Sequence, residues 1–305
     1  MPQQQPSKAP ATQTTAPNPS SYLAMGCIMA AGALWGCIGL FNRSLSAMGI
    51  SSSSIVLLRN TGACVLLGLL FLLKDRSIFQ IRVRHLPFFF GTGVVSLLFF
   101  TLCYFRSQQL SSLSVAGILL YTSPTFVVVL SALVFKDPFT KRKLCALLIA
   151  FLGCTFVTGI WGGELSLSLQ GLLLGLGSGF FYATYSIFGR IALAHYPPFT
   201  VTFYTFLFAG VGALFFLDRE DMATASSSLW SVFLVLGLII ISTILPYLLY
   251  TKGLNDLGDS GKAAILASVE PVVASIVGIL AFGEPMGLGV ILGLVCILIS
   301  VYILR

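Results

Sequence analysis

Ten stretches of unbroken apolar sequence, each close to the length that crosses a bilayer, set the terms on which this chain can fold. A membrane helix needs about 20 mostly apolar residues. Such stretches lie at roughly 22–42, 52–73, 86–105, 112–135, 141–158, 170–190, 198–217, 229–250, 260–282 and 286–304. They are continuous rather than alternating, and a barrel strand would need only about 10 residues, so they read as helices. The composition agrees. Of the 305 residues, 57% are hydrophobic and 9% are charged, against about 25% charged in an ordinary soluble domain. A water-soluble fold could not cover its surface with so few charges. The expected fold is an all-α polytopic membrane protein with ten transmembrane helices.

Several local signals fit this reading. Pro87, Pro138, Pro198 and Pro285 stand where helices should begin, since a helix start tolerates a missing N–H. Glycines spaced four apart, at 32 and 36, 171 and 175, 175 and 179, and 289 and 293, let helix backbones approach closely. The seven cysteines fall inside apolar segments with no metal-ligand or disulfide spacing, so they read as packing residues. Residues 1–21 are rich in Gln, Pro, Thr and Ser and read as a disordered tail.

The net charge of +7 does not form a basic face, so nucleic acid is not an expected partner. The bases are sorted by side instead. Between the ten spans, 13 of the 17 bases fall on the side of the N-terminus and three (Arg43, Arg106, Arg219) on the other, with Arg59 inside a span. The positive-inside rule then places both termini in the cytoplasm of an inner-membrane protein.

The sequence also repeats itself at an ungapped offset of 147 residues. Gly32 matches Gly179, Phe41 matches Phe188, Arg43 matches Arg190, Pro124 matches Pro271, Phe135 matches Phe282 and Pro138 matches Pro285, with Asp137 opposite Glu284. Residues 22–160 and 169–305 thus form two five-span repeats. An odd number of spans makes the second repeat enter from the opposite side, so the repeats are inverted. Inverted repeats suit alternating access, because exchanging the conformations of the halves turns a site open on one side into a site open on the other.

Few residues carry chemistry within the spans. Glu270 is the one carboxylate deep inside a span, and a charge there costs at least ~2.5 kcal/mol, so it should face protein or a water-filled cavity. It reads either as a binding or proton-carrying group or as a partner for backbone freed by Pro271. Arg59 either holds a solute carboxylate or phosphate or snorkels outward. Pro124 and Pro271, at matched midpoints, should kink their helices and act as hinges beside a midplane site. Trp35, Tyr104, Tyr121, Tyr182, Tyr185 and Tyr247 lie in or near the spans that should line it, each with a polar atom that needs a partner. The two histidines, His85 and His195, belong to loops, and neither a paired-carboxylate nor a Ser-His-Asp pattern occurs. An enzyme is therefore not expected, nor is a cofactor, and no nucleotide-binding loop points to ATP. A channel is the weaker alternative, since a filter is usually built by several subunits.

Taken in order, Ala33-Leu34-Trp35-Gly36 through Phe41-Asn42-Arg43, Leu58-Arg59-Asn60, Tyr121-Thr122-Ser123-Pro124 with Phe135-Lys136-Asp137, and Ser268-Val269-Glu270-Pro271 with Phe282-Gly283-Glu284 resemble the drug/metabolite transporter superfamily, in particular its EamA-type ten-span members. The resemblance covers nearly all of the chain after residue 21. It departs at Asp137, where the family usually has Glu, at Cys37-Ile38-Gly39, and in span 7, which lacks an arginine that many members carry. The resemblance implies a secondary transporter of small organic solutes. Since no nucleotide-binding loop is present, coupling to protons or to solute exchange is expected, in a monomer or homodimer. Amino-acid export leads, and import or exchange of a nucleoside, vitamin or amine is the alternative. The cavity set is Trp35, Arg59, Tyr104, Tyr121, Ser123, Tyr182, Tyr185, Tyr247 and Glu270.

Overall fold

The structure, a computed structural model, describes residues 19–110, 113–157, 168–283 and 287–304. Glu284 and Pro285, and two of the 13 bases on the side of the N-terminus, Lys8 and Arg305, lie outside the described residues, as does most of the stretch read as a tail. The described residues are helical with no strand among them.

Ten long helical elements follow in chain order, with short helical turns at Arg76–Phe79, Val83–His85, Leu214–Phe216 and Arg219–Ala225 between them. They are α1 (Pro19–Gly36, then Ile38–Ala47), α2 (Ser52–Lys74), α3 (Leu86–Phe90, Gly91–Leu98, Phe99–Leu110), α4 (Leu113–Leu120, Ser123–Phe135) and α5 (Lys141–Val157). Then come α6 (Leu169–Leu193), α7 (Pro198–Ala213), α8 (Leu229–Ile239, Ile240–Ile244, Leu245–Leu257), α9 (Ser260–Ala267, Glu270–Phe282) and α10 (Leu288–Leu304). Eight of these are long and apolar enough to cross a membrane; the exceptions, α5 and α10, have 17 described residues each and pack against one another. The membrane fold is borne out. Helix α1 begins at Pro19, so the last residues of the stretch read as a tail are already helical, as suits a proline in a first turn. Pro138 lies outside any helix. The start of α5 is capped instead by Thr140, whose hydroxyl accepts from the Lys143 N–H.

The packing follows the 147-residue offset. Each of α2, α4 and α5 lies against its own counterpart α7, α9 and α10. Helix α1 packs on α8 and α9, while its counterpart α6 packs on α3 and α4. The irregularities repeat as well. Helices α4 and α9 are broken at Tyr121-Thr122 and at Ser268-Val269. Helices α3 and α8 carry π-helical turns at Gly91–Leu98 and Ile240–Ile244. Pro124 and Pro271 therefore do more than kink a helix. Each is the second residue of a new half-helix, where it displaces no hydrogen bond. Both second halves end in a left-handed residue, Gly283 in one copy and Lys136 in the other. A side chain there is sterically disfavoured, so Lys136 holds a conformation that its counterpart adopts without strain.

Glycines make room for the two breaks. A Cβ on Gly32 would meet the Ala267 carbonyl oxygen at 2.6 Å, and one on Gly179 would meet the Thr122 hydroxyl at 2.7 Å. On Gly36 it would lie 2.7 Å from the Glu270 carbonyl oxygen and 2.9 Å from the Ala274 nitrogen. Backbone cannot yield as a flexible side chain can. Gly36→Ala should therefore cost about 1–3 kcal/mol and lower the melting temperature in detergent by several degrees. Gly39→Ala, with nothing within 4 Å of the new Cβ, is the matched control. Equal melting temperatures for the two variants would refute this account of the α1–α9 contact.

Candidate functional site: a cavity at the helix breaks

The breaks and the glycines leave a cavity of about 420 Å³ between α1, α2, α3, α4 and α9. Its mouth is edged by Arg43, Ser46 and Ser52, at the α1–α2 turn. This end is the far side, opposite the side on which α1 starts beside the end of α8. Rings from four helices close the bottom: Trp35, Phe100, Tyr182 and Tyr247. Trp35 lies edge-on to Tyr182 and Tyr247, with ring centres 6.4 and 5.1 Å apart, and Phe100 lies edge-on to Tyr182 at 5.2 Å. They hold each other by edge-to-face attraction.

Two charges of opposite sign face this space. Glu270 opens the second half of α9, so the break that Pro271 starts also delivers the carboxylate to the cavity wall. Arg59 projects from α2. Its Nε is buried without a hydrogen-bond partner. Among the described residues no ion pair engages either charge. A charge in low dielectric needs a counter-charge or water, and the cavity is where either can be supplied.

The structure brings Trp35, Arg59, Tyr104, Tyr121, Tyr182, Tyr247 and Glu270 to this one cavity. Tyr185 sits below the ring floor, beside a separate small void. Ser123 is buried at the start of its half-helix and lines neither space. The cavity also holds residues that sequence reasoning passed over. Thr101, Phe105 and Gln108 share one face of α3 with Tyr104, a helical spacing that was there to be read. Phe100 is the counterpart of Tyr247 at the same offset that pairs Trp35 with Tyr182. Asn42 and Gly39 line the space because α1 breaks at Cys37, and nothing in the sequence announces that break.

Ion pairs sit at the ends instead. Arg190 grips Asp137 with both guanidinium nitrogens and lies over the Phe135 ring at 4.2 Å. Its repeat counterpart Arg43 lies over Phe282, the counterpart of Phe135, at 4.9 Å. Each contact joins the two repeats, one at each side. At the far rim the Ser51 hydroxyl and N–H donate to Asp221 at 2.6 and 3.2 Å, and these bonds, the hydroxyl foremost, hold the Asp221 carboxyl below its ordinary range. His85 and His195 meet away from the cavity, with ring centres 4.6 Å apart, and the Tyr196 hydroxyl lies 2.8 Å from His85 Nδ1.

Comparison with known proteins gives the context. The EamA-like transporter family matches residues 22–159 and again 169–305. The uncharacterized inner membrane transporter YicL of Salmonella typhimurium is 28% identical over 289 residues, covering 91% of this chain and 93% of that protein. An uncharacterized transporter of Archaeoglobus fulgidus is 26% identical over 255 residues, covering 83% and 88%. A protein of known crystal structure superposes with a TM-score of 0.74 at 16% identity, over 92% of this chain and 95% of that one, and so shares the fold.

Proposed function

Because the chain belongs to the EamA-like transporter family, and is therefore a membrane transporter, we propose that it carries amino-acid-like zwitterions across the inner membrane by alternating access, with export favoured. One observation carries this reading: Arg59 and Glu270, neither of which forms a salt bridge among the described residues, face a single cavity floored by aromatic rings. An amino acid would bring a carboxylate to Arg59, which can hold it by two parallel hydrogen bonds, and an ammonium to Glu270. A flat or apolar side chain would rest among Trp35, Phe100, Tyr182 and Tyr247. The space of about 420 Å³ suits a solute of that size.

The placement of the bases puts both termini in the cytoplasm, so the cavity opens outward. Glu270 can then hold a proton or an ammonium, but not both. A proton arriving from outside displaces the amine, and an inward proton gradient drives export. The second reading is an organic amine, favoured by the rings of Trp35, Tyr182 and Tyr247 near a carboxylate, which hold a cation without help from Arg59.

The test is a thermal-shift screen of the purified chain against amino acids, amines, nucleosides and vitamins, with counterflow in proteoliposomes for each hit. Zwitterions with apolar or aromatic side chains should raise the melting temperature by about 2 °C or more at saturating concentration and drive counterflow. Equal stabilisation by amines lacking a carboxylate would replace this reading with the second. A well-folded sample silent to the whole panel would sink both.

A further inference from the structure

Beneath the ring floor lies a second, much smaller void of about 20 Å³, and seven of the nine residues that line it are buried, leaving space for about one water. Trp35, Phe100, Tyr182 and Tyr247 line both spaces. These four are two pairs of repeat counterparts, 35 with 182 and 100 with 247. The floor is thus shared evenly between the repeats, with the large cavity on one face and the small, buried void on the other. The void's remaining walls bring hydroxyls from Ser96, Tyr185, Ser186 and Tyr250. Two buried pairs then tie α6 to α8: Ser186 to Tyr250 and Tyr185 to Thr251, each at 2.8 Å.

The offset says what these pairs correspond to on the open side. Tyr185 and Ser186 answer to Ile38 and Gly39, and Tyr250 and Thr251 answer to Cys103 and Tyr104. Ile38, Gly39 and Tyr104 line the open cavity.

We propose that the void is the closed, terminal-side half of the solute path, and that the Ser186–Tyr250 and Tyr185–Thr251 pairs are the latch that keeps it shut. When it opens, it offers the solute neutral hydroxyls. The counterparts of Arg59 and Glu270 are Phe206 and Ser123, so no second pair of charges awaits on that side, and the charged ends of a zwitterion are gripped at the floor alone. The latch is also one-sided. Gly39 has no side chain and Ile38 has no polar atom, so closing the far side forms no equivalent bonds, and the empty protein rests open to the far side. This inference depends on the chain being a carrier, but not on which solute it carries.

The test is thiol labelling, which needs no solute, so a failed latch and a failed zwitterion reading can be told apart. Two reporters are placed in the full chain. Ser46→Cys sits in the lining of the open cavity. Gly189→Cys sits at the counterpart of Asn42, where a new Cβ meets nothing nearer than Leu254 at 3.8 Å. A membrane-impermeant maleimide is added to vesicles of known orientation, and labelled peptides are read by mass spectrometry with the native cysteines as references. Ser46→Cys should react from the far side and Gly189→Cys should be protected on the terminal side. Adding Tyr250→Phe, or separately Thr251→Val, should raise Gly189→Cys labelling about two- to tenfold, the factor that one net hydrogen bond is worth, with Ser46→Cys labelling no higher than before. Unchanged Gly189→Cys labelling in both variants would overturn the latch. So would a rise at both reporters together, which marks general loosening.

Discussion

Arg59→Gln is expected to weaken binding of a zwitterionic solute about 10- to 100-fold while leaving the melting temperature of the empty protein unchanged or slightly higher. A hydrogen bond to a charged group contributes about 1.5–3 kcal/mol, and every 1.4 kcal/mol is about tenfold in affinity. Glutamine keeps a planar polar end but has neither the charge nor the two parallel donors. The stability side of the expectation follows from what Arg59 lacks. Its Nε is buried without a hydrogen-bond partner and it forms no salt bridge among the described residues, so removing it breaks no direct contact with a counter-ion, unlike the removal of one member of a buried pair. Titration calorimetry with a hit from the solute screen measures the first quantity and differential scanning fluorimetry the second. Unchanged affinity would remove Arg59 from the site. A collapse in stability would instead assign it to holding α2 in place. Arg59→Lys should recover only part of the affinity, since an ammonium cannot make the forked contact.

The second large effect is expected at Glu270. In proteoliposomes the ordinary chain should release an amino acid faster when the side facing the open cavity is acidified, because a proton taken up there displaces the ammonium. Glu270→Gln should abolish that response while expression and melting temperature hold, since glutamine fills the same space and cannot exchange a proton. It should also weaken solute binding, because the ammonium loses its counter-charge. Flux that keeps its pH dependence in the variant would end the coupling role. The bland alternative, a carboxyl that satisfies backbone groups at the break, predicts instead a drop in stability with no change in the pH profile. One of the carbonyls freed at the α9 break is already met without it, since the Ser268 hydroxyl donates to the Ala264 carbonyl.

Much of this was legible in the sequence because a membrane removes options. Each apolar run could only be a helix, and run ends agreed with helix ends to within a few residues except where helices continue past the apolar stretch, as α3 does to Leu110 and α8 to Leu257. Glu270 and Arg59 stood out for the same reason, since a charge is rare among apolar residues and must face something polar. Broken helices were harder. Pro124 and Pro271 signalled a disturbance, but whether a proline bends a helix or begins a new one depends on what packs beside it. Here Gly32, Gly36 and Gly179 let neighbouring backbone move in against the breaks. The break at Cys37 and the π turns in α3 and α8 have no single-residue signature. Tyr185 lies in a span that lines the cavity, but it stands three residues beyond Tyr182, which is about 4.5 Å along the helix axis. That rise was enough to put it beneath the floor.

The π turns carry a historical consequence. A π turn holds about one residue more than the α turn it replaces, so everything beyond it is rotated by about 100° relative to a regular helix. Phe100, Tyr104 and Gln108 follow such a turn in α3, as Tyr247 and Tyr250 do in α8, and their facing depends on that added residue. Its presence at matched places in both halves dates the insertion to an ancestral five-helix unit, before its gene doubled and the copies joined. The interruption at Cys37 has no equivalent in the unbroken α6, so the two copies have diverged there. The common scaffold of the pathway is then the older inheritance. The features that set one side apart from the other, among them Glu270 where the sister half keeps Ser123 and Arg59 where it keeps Phe206, are the marks of later divergence.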